Sequence, residues 1–357
     1  MSSDNKIPVT LLGLVPPPNG GIASWTMRML NSSLLNERVE LGLVNEAMPK
    51  GRATFGRGSK RSLRKEVKRC LRIWSDLKSD LVSRESKVVH SNIPAFPLSM
   101  LREIVCALIA KRYHAKFLIH FRCTVPVAAK GVAAKTLLRI ILLLSDGVIV
   151  LNRASEDYIA AISSVPVFLV PNFVSDGELI SFNGRSAGQI KTALYAGGII
   201  PEKGVDDIVS LARQCPDISF VLAGQGEIDD VDLENVHMVG SLTKEELAFQ
   251  YEQADIFLFL SRFKGEGFSN SLAEAMSAGL PCIVTDWAAN ADMVGNNGGI
   301  IVESHDLSAM MNAISALNNV ATREAMGARN RAKASRDYSE SAVISRYIDI
   351  YDRLSVD

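Results

Sequence analysis

Two glutamates, Glu266 and Glu274, stand with seven residues between them in the stretch SRFKGEGFSNSLAEAMSAGLPCIVTD, residues 261–286. Paired carboxylates at a fixed spacing are the residue set of general acid and base chemistry. The bare spacing recurs by chance in helical proteins, so the elements around it decide its meaning. The preceding run, Asp255-Ile-Phe-Leu-Phe-Leu260, has the length and apolar character of a buried strand in a parallel sheet. Gly265 and Gly267 permit tight turns, and Ser269, Asn270 or Ser271 caps a helix carrying Leu272, Ala273, Ala275 and Met276, which Gly279-Leu-Pro281 ends. A loop aimed at a helix N-terminus presents free backbone N–H groups, and these bind anions.

The chain that positions this stretch has 357 residues, enough for two domains with separate cores. Its 39 basic and 39 acidic side chains balance, which argues against bulk nucleic-acid binding. Five cysteines, at 70, 106, 123, 215 and 282, are scattered, odd in number and without a C-x-x-C, as expected of free thiols in a reducing compartment. The apolar run Val9 to Val15 is too short for a secretory signal, and Ile140 to Leu151, interrupted by Ser145 and Asp146, falls short of a membrane span. A cytoplasmic protein is expected, with peripheral attachment to the inner membrane open.

Residues 9–15 read as a first strand, followed by PPPNGGIAS and a helix from about Ala23 to Leu30. Gly20 and Gly21 in that turn either let backbone approach a phosphate or sugar, or simply connect strand to helix. Residues 50–87 hold thirteen Lys or Arg against four acids, with apolar positions from Leu63 to Leu81 at helical spacing. This cationic amphipathic helix is either a solvated face or a surface for anionic lipid or a lipid-linked phosphate. His120 ends a strand that begins at Lys116, and Arg122 follows as a phosphate or acceptor candidate, a surface ion pair being the alternative. His90, His114, His237 and His305 lack metal-ligand spacing. Residues 174–191 read as a connection. Beyond them the predicted elements 192–196, 204–214, 219–223 and 244–253 alternate strand and helix, which favours a parallel sheet covered on both faces. The D-x-D within Asp229-Asp-Val-Asp232 lies in a polar connection, and no metal is expected there or elsewhere.

In this setting SR-x3-EGF-x5-EAM-x2-G-x-P resembles the donor-sugar signature of the retaining glycosyltransferases of family 4. YAGGIIPEKG, AGQGE, SDGVIVLN and VFLVPNF resemble further segments of that family, with Phe173 in place of a usual glycine and Gly198 in place of a usual arginine. The resemblance implies an α/β GT-B fold, two Rossmann-like domains whose parallel sheets face an interdomain cleft. Residues 1–175 would form the acceptor-side domain, 176–335 the donor domain, and 336–357 a helix returning to the first. It implies transfer of a sugar from a UDP- or GDP-sugar to a glycan or lipid-linked acceptor, without cofactor or metal. Glu266, His120 and Lys203 are the implied catalytic residues. Glu274 would hold the ribose, and Gly267, Phe268, Ser269, Asn270, Gly20, Gly21, Gly198 and Arg262 would line the donor site, with Arg262 compensating for the arginine missing at 198. Two rival readings are a nucleotide-sugar epimerase and a non-catalytic nucleotide-sugar-binding partner.

Overall fold

The computed structural model describes residues 6–16, 20–47, 63–174, 188–228 and 232–356. The basic residues 50–62, most of the 174–191 connection and residues 229–231 of the D-x-D segment lie outside the described residues. The chain forms two compact units, Met1–Asn172 with Val343–Asp357, and Phe173–Ala342. Sequence placed the boundaries at 175 and 335. Residues 336–342 stay with the second unit because Tyr338 packs edge-on against Phe268, with ring centroids 5.3 Å apart, and its carbonyl accepts from Val174 N at 2.8 Å.

The first unit runs β1 Ile7–Gly13, α1 Gly21–Asn31, α2 Ser33–Arg38, β2 Val39–Asn45, α3 Leu63–Arg84, β3 Val88–Ile93, α4 Pro97–Arg112, β4 Lys116–Phe121, α5 Val125–Ala128, α6 Val132–Leu144, β5 Gly147–Val150, α7 Arg153–Ala160 and β6 Val167–Leu169. Its six strands pair in parallel in the order β2-β1-β3-β4-β5-β6. Every residue of β3, VVHSNI, is buried, as a strand covered on both faces requires. Polar His90 and Asn92 on it therefore sit inside the unit and need partners there. The order of strands reverses between β1 and β3, and in such sheets ligands bind at the carboxyl ends beside that switch point.

The second unit runs β7 Thr192–Ala196, a 3-10 turn Pro201–Lys203, α8 Val205–Gln214, β8 Ser219–Ala223, β9 Val236–Gly240, α9 Lys244–Gln253, β10 Ile256–Phe259, α10 Asn270–Ser277, β11 Cys282–Thr285, α11 Asn290–Val294, β12 Gly299–Val302, α12 Leu307–Leu317 and α13 Val320–Asp337. The last helix, α14 Glu340–Val356, begins here and belongs to the first unit from Val343. The sheet, again parallel, has the order β12-β11-β10-β7-β8-β9. Strands β7 and β10 are sixty residues apart in sequence yet hydrogen-bonded neighbours, with Ile256 opposite Ala193 and Phe257 opposite Leu194. Their carboxyl ends mark this sheet's reversal, so the 197–204 turn and the 261–269 loop leave the sheet side by side.

Candidate active site

The loop after β10 is built to hold Glu266. Glu266 N donates to Phe263 O at 3.0 Å, closing a turn, and Gly265 fits there because a Cβ would lie 2.6 Å from the Phe263 ring. Trp287 Nε1 donates to Phe263 O at 2.7 Å, and Thr285 Oγ1 donates to Ser261 O at 2.6 Å, tying the loop to the residues after β11. Ser261 Oγ in turn lies 3.4 Å from Glu266 Oε2. Of the three capping candidates Ser269 serves: its Oγ accepts from Leu272 N at 3.2 Å and α10 starts at Asn270. Gly267, Phe268 and Ser269 are buried in the approach to the helix.

Lys203, at the end of the 3-10 turn, donates from Nζ to Glu266 Oε2 and lies over the rings of Phe263 and Phe259, 5.1 and 5.7 Å from their centroids. The pairing of β7 with β10 brings these two side chains together. Gly204 terminates the turn at φ 78°, where any Cβ would lie 2.1 Å from Leu260 O, so the turn seats directly on the end of β10 only with glycine there. Glu274, on α10, lies 3.1 Å from the hydroxyl of Tyr251, a buried residue of α9. Tyr195 OH donates to Gly198 O at 2.7 Å and fixes the turn after β7; its own proton is held far above the usual range by burial and then by the Glu266 charge.

Arg262, expected to compensate for the arginine missing at 198, is engaged on α8. Its guanidinium bonds Asp206 Oδ2 at 2.5 Å and Asp207 Oδ2 at 3.1 Å in the first turn of α8, so two carboxylates already share its charge. Asp206, Asp207 and His305 are the residues whose ligand atoms cluster within 4.8 Å among the described residues, and Arg262 occupies that cluster. At Gly198 itself a Cβ would meet nothing within 4 Å.

In the first unit, Gly20 precedes α1 without a side-chain cap bond, and neither Gly20 nor Gly21 has an atom within 4 Å of where a Cβ would stand. His120 is wholly buried, and both its ring nitrogens are engaged. Arg122 Nη1 lies 3.1 Å from His120 Nε2, His120 Nδ1 lies 3.3 Å from His90 Nε2, and His90 Nδ1 lies 2.6 Å from Tyr351 OH on α14. Arginine only donates, so His120 Nε2 accepts, its Nδ1 carries the proton toward His90, and His90 Nδ1–H points to Tyr351. Burial, and then the Arg122 charge, lower the pKa of His90 to about 3 and that of His120 well below its usual value, so both rings are neutral. Trp25 packs edge-on to both imidazoles, with ring centroids 5.4 Å away in each case. Sequence reasoning considered His90 only as a metal ligand. His90 and Asn92 share one face of β3, and the register that sets Asn92 opposite His120 brings the two histidines onto that face, a pairing that the sequence does not signal.

Residues 190–319 match the family described as glycosyl transferases group 1. The GDP-mannose:cellobiosyl-diphosphopolyprenol alpha-mannosyltransferase of Xanthomonas oryzae pv. oryzae is 30% identical over 182 residues, 45% of this chain and 46% of that one. Spore coat protein SA of Bacillus subtilis is 24% identical over 211 residues, 51% of this chain and 55% of its own. The chain thus spans about half the length of the curated relatives it matches. Among solved structures, sucrose-phosphate synthase from Thermosynechococcus elongatus superposes with a TM-score of 0.77 at 18% identity, covering 98% of this chain and all of that one. Anabaena HepE in complex with UDP-glucose superposes with a TM-score of 0.70 at 13% identity, covering 97% and 100%. Residues 190–319 are thus similar to the glycosyl transferases of group 1, and the two six-stranded parallel sheets have the GT-B fold.

Proposed function

We propose that the chain is a retaining glycosyltransferase that moves a sugar from a UDP- or GDP-sugar to a hydroxyl of a glycan or lipid-linked acceptor. The observation that carries this reading is the Lys203–Glu266 pair at the adjoining ends of β7 and β10, with Glu274 on the helix that follows. Breaking the sugar–phosphate bond leaves oxocarbenium character on the sugar and new negative charge on the diphosphate. Lys203 meets that charge. An ammonium has three donors, so Lys203 can turn to a phosphate oxygen without releasing Glu266. Backbone N–H groups from Gly267 to Asn270 and the α10 dipole take a further share. Glu266 then contacts hydroxyls of the transferred sugar and Glu274 those of the ribose. The departing phosphate takes the acceptor proton on the face it leaves, which retains configuration and makes neither glutamate a covalent nucleophile, in contrast to retaining glycosidases.

No metal is needed in this reading, because the one acidic cluster among the described residues already binds Arg262; transfer should survive a chelator. The Xanthomonas relative, named for GDP-mannose and a diphosphopolyprenol, supports a nucleotide sugar and a surface-glycan or glycolipid product. Among the described residues no helix is long and apolar enough to cross a membrane. Peripheral attachment to anionic lipid is supported by α3, where Val67 and Leu71 are 50% and 57% exposed beside Arg64, Lys65 and Lys68.

The engagement of Arg262 favours one second reading, a nucleotide-sugar-binding partner that does not turn over. A panel of UDP- and GDP-sugars, scored for binding and for donor consumption with candidate acceptors, decides. Consumption that Glu266→Gln abolishes supports transfer. Binding without consumption supports the partner reading, a new sugar nucleotide from donor alone supports epimerisation, and absence of any binding overturns the proposal.

A further inference from the structure

Helix α4 is turned inside out. Its two charged residues before Lys111, Arg102 and Glu103, are buried in the core and bonded to each other, while three leucines face outward: Leu98, Leu101 and Leu108 are 65%, 53% and 52% exposed. Spaced by three and seven residues, they form one stripe along the outer side of the helix, with half-buried Val105 between them. The opposite side, with Met100, Cys106 and Ala107, already belongs to the core of the first unit. A helix apolar on both sides is ordinarily covered on both. Helix α4 lies between α3 and α6, tied to α3 by Trp74 Nε1, which donates to Arg102 O at 3.4 Å. On α6, Val132 and Leu143 also point away from the core, 84% and 80% exposed. Every exposed charged side chain on α4 and α6 is basic, namely Lys111, Arg112, Lys135 and Arg139. On α3 the one exposed acid among the described residues is Asp76, against several lysines and arginines.

We propose that the outer face of α4, flanked by α3 and α6, rests on an anionic lipid surface, with its leucines at the acyl chains and the surrounding bases at the headgroup phosphates. This deepens the peripheral attachment proposed above: the apolar contact is centred on the α4 stripe, and α3 forms its edge. Charge selects the occupant. A second copy of this face would set bases against bases, whereas an anionic membrane complements both the leucines and the cations. The long stems of Lys and Arg lie along apolar surface and carry their charge to headgroup level. Helix α4 follows β3 directly, so the leading end of the stripe, at Leu98, stands at the carboxyl end of the sheet, where ligands of such folds bind. On the transferase reading, a lipid-anchored acceptor meets the protein at that end without leaving the bilayer.

Sedimentation of the full chain with vesicles of phosphatidylglycerol and phosphatidylcholine tests the proposal. Leu101→Gln with Leu108→Gln should weaken binding tenfold or more, and Lys111→Gln with Arg112→Gln should weaken it and flatten its dependence on salt. All four side chains are exposed, so the melting temperature should stay unchanged, which separates lost docking from a lost fold. Met238→Gln with Phe249→Gln removes exposed apolar side chains from the second unit and should bind vesicles as the unaltered chain does. Binding that survives the leucine pair, that is equal on phosphatidylcholine alone, or that falls as far in the Met238 and Phe249 control overturns the proposal. A dimer in lipid-free solution that the leucine pair dissociates would assign the face to a second copy and overturn it too. Should Val67→Asp with Leu71→Asp abolish binding while the α4 leucine pair leaves it intact, attachment through α3 stands and only this inference falls. Binding of UDP or GDP reports the transferase reading separately: its absence beside intact vesicle docking sinks that reading and leaves the lipid face assigned.

Discussion

Lys203 and Glu266, from loops that leave neighbouring strands sixty residues apart in sequence, are bonded directly to each other. Each is therefore held in place by the other before any donor arrives. Glu266→Gln keeps the shape and loses the charge, so it frees Lys203 for a diphosphate while removing the sugar contact. Turnover should fall by about 100-fold or more, the scale of one lost preorganised contact, while UDP or GDP affinity stays within about threefold or tightens, a difference of under ~1 kcal/mol. Steady-state kinetics beside nucleotide calorimetry check both halves.

Gly198→Arg should be accommodated, because a side chain there meets open space and the residue does not have the positive φ that would demand glycine. Charge-assisted hydrogen bonds contribute about 1.5–3 kcal/mol each, so nucleoside diphosphate binding should tighten by about tenfold or more. Unchanged affinity would mean that position 198 does not face the phosphates.

Tyr251→Phe removes the hydroxyl that reaches Glu274 Oε2 and Ser271 O. A lost buried hydrogen bond costs about 0.5–1.5 kcal/mol. The expected outcome is weaker nucleoside binding with turnover at saturating donor within about twofold. A fall in turnover with unchanged KM would instead place Glu274 in the chemical step.

Stability should depend on pH in two opposed ways. Glu46 and Glu103 share the single guanidinium of Arg102, each at 2.5 Å, and burial, reinforced by the Glu103 charge, raises the Glu46 pKa to about 8. The folded state thus holds a proton that the unfolded chain releases above about 4.5, and this stabilisation is lost as pH rises toward 8. His90 and His120 act the other way: their lowered pKa values make the unfolded chain take up protons first, so stability drops as pH falls below 6.5. Melting temperature should peak near pH 6.5 and decline by on the order of a few degrees by pH 8. Glu46→Gln should flatten the decline above pH 6.5 and steepen the fall below it, as scanning calorimetry across that range would record.

If α3 docks on lipid, sedimentation with anionic vesicles at low salt should exceed that with neutral ones, and Val67→Asp with Leu71→Asp should reduce it at least tenfold, since each side chain buries ~1.5–3 kcal/mol on transfer from water. Equal binding to both vesicle types, or no effect of the double substitution, would remove the lipid role.

Local signals were legible in the sequence. The spans Thr192–Ala196, Ser219–Ala223 and Lys244–Gln253 coincide with the observed elements, since short apolar runs and a Thr243 cap with Glu246 bound them. The partnerships were not. Lys203 meets Glu266, Tyr251 meets Glu274 and His90 meets His120 through the order of strands, which no periodicity encodes. Arg262 looked available because Asp206 and Asp207 lie more than fifty residues away in sequence. Likewise Val67 and Leu71 recur with helical spacing yet stay uncovered, because a stripe records the helix and not whether a neighbour exists to cover it.

Helix α14 gives the molecule an order of assembly. Tyr347 and Tyr351 lie in the heart of the first unit, against Trp25 and His90, but they are translated after all 170 residues from Phe173 to Ala342. Domains generally fold from the N-terminus as they leave the ribosome. Here the first unit to emerge is the last to be completed: until residues 343–356 appear, His90 and His120 lack the cover of Tyr347 and His90 that of Tyr351, and the contiguous second unit is free to mature first.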